Sequence, residues 1–277
     1  MIEIFLDSHF QKILVAGLLL AAIAPMIGLY LVTRRYSLLV DALSHVGLLG
    51  IALALLFRIP MLIGAFATTF LASLGIERAR TRWKTSTDAL MALFLSGSLA
   101  LSIIFLDIHE EGGHAHDREE HGGIESFLFG SIAEVTWLQI GVLALMLVVL
   151  GIAVYRYQKE YFMMALDEEL AQVSGVSKGL FQFLFFFAVT AFITLALSMV
   201  GSLMIGALLV IPVLASMQLG KGFWKTFFIA LLLSLSSTVL GLLLAQLFAF
   251  PSGAMIVLVT IGWLVLLVAW KELRRIM

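Results

Sequence analysis

The sequence predicts an all-α, polytopic transmembrane helical bundle of eight or nine spans. Three observations carry this. First, 62% of the 277 residues are hydrophobic and only 13% are charged, against about a quarter charged in an ordinary soluble domain. Second, the mean hydropathy is +1.09. Third, apolar runs recur along the whole chain between short polar stretches, and many reach the ~20 helical residues that cross a hydrocarbon core.

Nine candidate helices follow in order: 13–33, 37–57, 61–76, 88–106, 131–155, 180–199, 202–218, 226–248 and 254–270. The first follows MIEIFLDSHFQK, which carries acids and lacks the basic start of a secretion signal. Its apolar run is too long for a signal core, so it reads as a retained span. The third and seventh are short and are expected to be tilted, re-entrant or broken, which keeps an eight-span count open. Pro25 and Pro212 lie inside spans and should kink them. Pro60 and Pro251 stand at helix starts, where a missing N–H costs nothing. Asp88, after TST, can serve the N-terminus of the fourth helix. Ser234, Ser236, Ser237 and Thr238 can bond back to their own helix. Small residues in SGSLALS and GSLMIGALL suit close helix packing. One transmembrane domain is expected over 1–277, with no separate soluble domain.

Charge sets the orientation. Of the 17 Lys and Arg residues, all but Lys12, Arg58 and Arg118 fall in one set of loops. The positive-inside rule makes that set cytoplasmic, together with the C-terminus. Net charge is −1, so bulk charge points to the lipid bilayer and to no nucleic-acid partner. There is no cysteine, which removes disulfides, thiolate metal sites and cysteine nucleophiles. No GxxxxGK[ST] is present, so any ATP used must bind another chain.

DALSHVGLLGIALALL, Asp41 to Leu56, holds two polar side chains ill-suited to lipid. Asp41 and His45 are four residues apart and share a helix face. Counting from Arg35 at 1.5 Å per residue places His45 about 15 Å deep. An Asp at such depth costs ~2.5–3.5 kcal/mol on insertion scales, so it needs a cavity or a partner. The pair could bond to neighbouring helices, relay protons, or hold a divalent cation in transit. Carboxylate and imidazole are donors that zinc and manganese accept. A tetrahedral site wants four ligands, which two copies of the pair across a two-fold axis would supply. Ser44 adjoins His45 but points elsewhere on a helix, which argues against a Ser/His nucleophile.

LDIHEEGGHAHDREEHGG places His109, His114, His116 and His121 among acids, within an expected external loop over 106–126. Histidine-rich tracts point to metal, and imidazole suits zinc better than manganese. Binding by a flexible tract is expected to be weak and exchangeable. On the cytoplasmic side, 161–179 holds DEELAQVSG, a short helix with an acidic start, closed by Gly175. Ala165, Leu166, Leu170 and Val173 could form one face, either of a surface connector or of a docking helix for a cytoplasmic partner.

DALSHVGLLGIAL, FLFGSIAEV, ALDEELAQVSG, GSLMIGALLVIPVLAS and FPSGAMIVL, in this order, cover most of the chain from Asp41 to Leu258. In these stretches the chain resembles the integral membrane permeases of metal-uptake ABC transporters, the zinc, manganese and iron group. The resemblance implies a homodimeric permease in a bacterial inner membrane. Its partners would be cytoplasmic ATPase subunits and an external metal-binding protein. It also implies that Asp41 and His45 line the translocation path, and that Asp167, Glu168, Glu169, Leu170 and Gly175 belong to the segment that docks on the ATPase. The histidine-rich loop looks like that of some zinc members. The helix ahead of DALSH carries no specific match. The reading is a transport subunit rather than an enzyme, with no permanently bound cofactor and Zn2+ as cargo. The same machine for manganese or iron, a proton-coupled secondary transporter and an intramembrane hydrolase are the rivals.

Overall fold

The computed structural model describes residues 8–83, 86–111, 135–248 and 250–276. Its elements are all helical: α1 (Ser8–Thr33), α2 (Ser37–Phe57), α3 (Met61–Trp83), α4 (Thr87–Glu111), α5 (Trp137–Arg156), α6 (Gln158–Leu166), α7 (Glu168–Val173), α8 (Lys178–Met217), α9 (Phe223–Phe248) and α10 (Ser252–Ile276). Among the described residues, eight helices are long and apolar enough to cross a membrane.

The expected seventh span is the one that falls short. Met204–Met217 is a shorter apolar helix, continuous with the sixth in the 40-residue α8. A straight helix of that length would run ~60 Å, twice a bilayer core. Inside α8 the non-helical residue is Gly201, at φ 75° and ψ 167°. Only glycine adopts that backbone without strain. The break is therefore at Gly201 and not at Pro212, which stays within helical backbone.

Helix ends differ from expectation for local reasons. The third helix runs on past Ile76 to Trp83. Arg80 and Arg82 in its last turn suit the helix dipole, and Arg80 pairs with Glu77 at 2.6 Å. The fourth continues through Glu111, just short of the first glycine pair. The fifth starts at Trp137 rather than 131. Thr136 and Gln139 form a reciprocal capping box there, a T-x-x-Q signal present in the sequence.

Both α1 and α2 close on an arginine with left-handed backbone, Arg35 at φ 60° and Arg58 at φ 54°. In the first, the Tyr36 N–H donates to the Leu31 carbonyl at 2.7 Å and the Arg35 N–H to Val32 at 3.1 Å. In the second, the Ile59 N–H donates to Ala54 at 2.9 Å and the Arg58 N–H to Leu55 at 3.3 Å. This is the Schellman pattern, in which glycine usually takes the left-handed place. An arginine there costs about 1–2 kcal/mol.

The chain divides into two compact units. One comprises residues 1–37, 132–178 and 206–277. In it α1 packs on α5, α6 and α9, and α10 lies on α9. The Tyr161 ring stands 6.2 Å from Tyr30 and 5.9 Å from Phe223, and its hydroxyl donates to the Met26 carbonyl at 2.6 Å. On α9, Ser236 and Thr238 bond back to Leu233 and Ser234, as expected. The buried Ser234 and Ser237 hydroxyls find no partner among the described residues, contrary to expectation.

The other unit comprises residues 38–131 and 179–205. Here α2 and α3 meet backbone to backbone. A Cβ on Gly50 would lie 2.6 Å from the Gly64 carbonyl oxygen and 2.7 Å from Ala65 Cα; one on Gly64 would lie 2.6 Å from the Gly50 oxygen. Phe66 and Phe70 of α3 pack edge-on against Phe187 of α8 at 5.4 and 5.9 Å, and Phe70 meets Phe183 at 5.5 Å. Such edge-to-face pairs add to the apolar contact.

Candidate functional site

Asp41 and His45 stand one turn apart on α2. The helix is apolar almost all round and mostly buried, with Leu39, Val40, Ala42, Leu43, Ser44 and Val46 in its core, as a helix without a solvent face should be. Against that background both polar residues are half-buried. The Ser44 hydroxyl donates to the Val40 carbonyl at 2.8 Å, so it serves its own helix. The His45 Nδ1 is buried and has no hydrogen-bond partner among the described residues. An orphaned buried nitrogen of this kind costs on the order of 1–3 kcal/mol unless something meets it.

Among the described residues no group of three or more His, Asp or Glu side chains could hold an ion. Asp41 and His45 offer one oxygen-donor and one nitrogen-donor group, half the number a tetrahedral zinc site uses.

Of the histidine-rich stretch, His109 is half-buried on the last turn of α4. The expected loop therefore begins later than residue 106. His114, His116 and His121 lie outside the described residues.

The 161–179 segment folds as α6, α7 and a turn. Asp167 caps α7, its Oδ1 accepting from the Glu169 and Leu170 N–H groups at 2.8 and 3.2 Å. Gly175 closes the helix at φ 88°, with the Val176 N–H donating to the Ala171 carbonyl at 3.0 Å. Sequence reasoning located both ends. It grouped Ala165 with Leu166, Leu170 and Val173, but Ala165 is buried while the other three are exposed, at 58%, 58% and 87%. Asp167, Glu169 and Gly175 are exposed beside them.

Glu168 is placed differently from its neighbours. It is 7% exposed, with Oε1 paired to Arg34 and Oε2 2.7 Å from Lys178 Nζ. Burial alone would push its carboxyl up, but the Lys178 hydrogen bond and the charges of Arg34 and Lys178 outweigh that and hold it below the usual carboxylate value. Neither cation stood out in the sequence, because Arg34 is far from Glu168 along the chain and Lys178 meets it only across the turn after α7.

A family described as the ABC 3 transport family matches residues 7–271. The chain is 31% identical over 269 residues to a "Probable metal transport system membrane protein" of Treponema pallidum, covering 97% of each. It is 28% identical over 257 residues to the "Manganese import system permease protein ScaB" of Streptococcus gordonii, covering 91% of this chain and 88% of that protein. It is also 28% identical over 245 residues to the "High-affinity zinc uptake system membrane protein ZnuB" of Buchnera aphidicola, covering 88% and 90%. In fold it is similar to a chain of "PsaBC from Streptococcus pneumoniae in complex with Fab", with a TM-score of 0.80 over 96% of this chain and 95% of that one, at 23% identity.

Proposed function

Since this chain belongs to the ABC 3 transport family and is a membrane permease of a metal ABC transporter, we propose that its cargo is zinc, carried past Asp41 and His45 by a dimer of the chain. The observation that carries this is the half-buried acid–imidazole pair on an otherwise apolar helix, with the His45 Nδ1 lacking a partner among the described residues. A divalent ion meets both donors and removes the cost of leaving them in an apolar helix. Two copies facing one axis bring two Asp and two His, the four ligands of a tetrahedral site.

The rest of the machine follows from the same reading. ATP is hydrolysed by separate cytoplasmic subunits, which meet the exposed Leu166, Leu170 and Val173 of the 161–179 segment. An external binding protein delivers the ion. The chain sits in a bacterial inner membrane with its C-terminus in the cytoplasm, on the strength of the Lys and Arg bias. It is a transport subunit and not an enzyme, and it keeps no resident cofactor.

Zinc is favoured by the four histidines between His109 and His121, since imidazole ranks zinc above manganese. Manganese is the second reading, favoured by the likeness to a manganese import permease. Membership of an ABC family leaves the proton-coupled rival without support.

The test is uptake of labelled zinc by the reconstituted complex, with manganese and iron as competitors. Zinc should enter in an ATP-dependent manner that survives an uncoupler, and Asp41→Ala or His45→Ala should abolish entry while the protein still inserts. Full uptake by both variants would remove the site. Manganese entering in preference to zinc would move the assignment to the second reading.

A further inference from the structure

We propose that Glu168 is a positioning residue for transport: by holding Arg34 and Lys178 together, it ties the ATPase-docking segment to the turn between α1 and α2 and to the start of α8. This rests on the reading that α7 meets the ATPase. It goes further in separating the residues that would touch the partner from one that passes its movement on.

Three observations support the division of labour. First, Glu168 faces inward at 7% exposure between exposed Asp167 and Glu169, so its carboxylate is not available to a partner. Second, its two oxygens take different cations, Oε1 the Arg34 guanidinium and Oε2 the Lys178 ammonium. One side chain thus joins three chain segments. Third, those cations mark exits. The chain leaves this compact unit after Ser37 and again after Lys178. Arg34 caps α1 in a turn closed by two backbone bonds, three residues ahead of the first residue of α2 and seven ahead of Asp41. Lys178 is the first residue of α8. Only residues 34–36 separate α1 from α2 and only 174–177 separate α7 from α8, so little chain is left to take up a shift of α7. Displacement of α7 is therefore passed to the helix carrying the acid–imidazole pair.

A buried ion cluster is weak evidence for stability alone, since well-packed apolar groups of the same volume often serve as well. What the charges add is a constraint on position, because removing or displacing one partner leaves a buried charge uncompensated.

The experiment uses the complex of this chain with its ATPase, in vesicles supplied with ATP, zinc and the binding protein. In the Glu168→Gln variant the ATPase should still co-purify and hydrolyse ATP, while zinc moved per ATP falls by about tenfold, within the range of ordinary coupling energies. Lys178→Gln, at the more exposed rim of the cluster, should act in the same direction. Combining the two should be no worse than Glu168→Gln alone, as for members of one network. If Glu168→Gln fails to fold, Lys178→Gln carries the test. Wild-type zinc per ATP in the folded variants would overturn the proposal. So would uptake and hydrolysis falling in equal proportion. Leu170→Asp, on the exposed face, should instead weaken ATPase association. If it does not, the docking reading falls and takes the proposal with it; if it does and the Glu168→Gln stoichiometry stays normal, the proposal falls alone.

Discussion

Tyr161 and Glu168 hold the same short segment by different chemistry. Tyr161 is a buried aromatic whose hydroxyl spends its one donor on the Met26 carbonyl, and burial pushes its phenol up, so it remains a donor. Glu168 is an ion held by two cations, and its contribution depends on pH. Its folded value lies below the ordinary 4.5, so the folded state favours the carboxylate. The resulting stability is present in full above about 4.5 and is lost as pH falls through the depressed folded value. Unfolding of the detergent-solubilised protein should therefore show the wild type more stable than Glu168→Gln at neutral pH, with the gap closing only under acid conditions. A gap that widened on acidification would mean that the cations do not hold the carboxylate.

At the scale of the helix, Gly50 and Gly64 decide how α2 sits. Their backbones leave no room for a methyl group. Gly50→Leu should push α2 from α3 and destabilise the fold by about 1–3 kcal/mol, as overpacking does, read as a lower thermal midpoint and reduced zinc uptake. The sequence makes small residues in spans visible, but not which pairs of them touch. The same boundary runs through the candidate site. Asp41 and His45 were legible because an acid and an imidazole are conspicuous in an apolar run. Asp167 and Gly175 were legible because caps obey local rules. Glu168 looked like one more docking acid, because its partners Arg34 and Lys178 come together only in the fold. The ends of α1 and α2, at Thr33 and Phe57, fall where the apolar runs stop; the left-handed turns that close them carry no glycine signal, because arginine stands there. The break in α8 falls at Gly201, between the ends that the sequence gives the sixth and seventh helices, 199 and 202, while the kink expected at Pro212 leaves that residue's backbone helical.

For the molecule as a whole, charge bias sets topology. Lys178 and Lys221, at the two ends of α8, belong to the same basic set of loops, so the positive-inside rule predicts an even number of crossings for the chain between them. Gly179 and Gly222 lie beside those lysines with open space around them. The chain has no cysteine of its own, so Gly179→Cys and Gly222→Cys can be labelled without background. Both should react with an impermeant thiol reagent in inverted vesicles and neither in right-side-out cells. Labelling from opposite sides would make α8 a single crossing and reverse the orientation of α9 and α10.

The unit built on α1 also draws on α5 and α9, which lie much later in the sequence. A ribosome feeding this protein into the bilayer delivers α1 long before those neighbours exist. The newborn helix must wait among lipid tails, solvated on every side by hydrocarbon, until translation passes its midpoint and brings first α5 and later α9. Uniform greasiness from Ile13 to Leu31 is what lets it wait there.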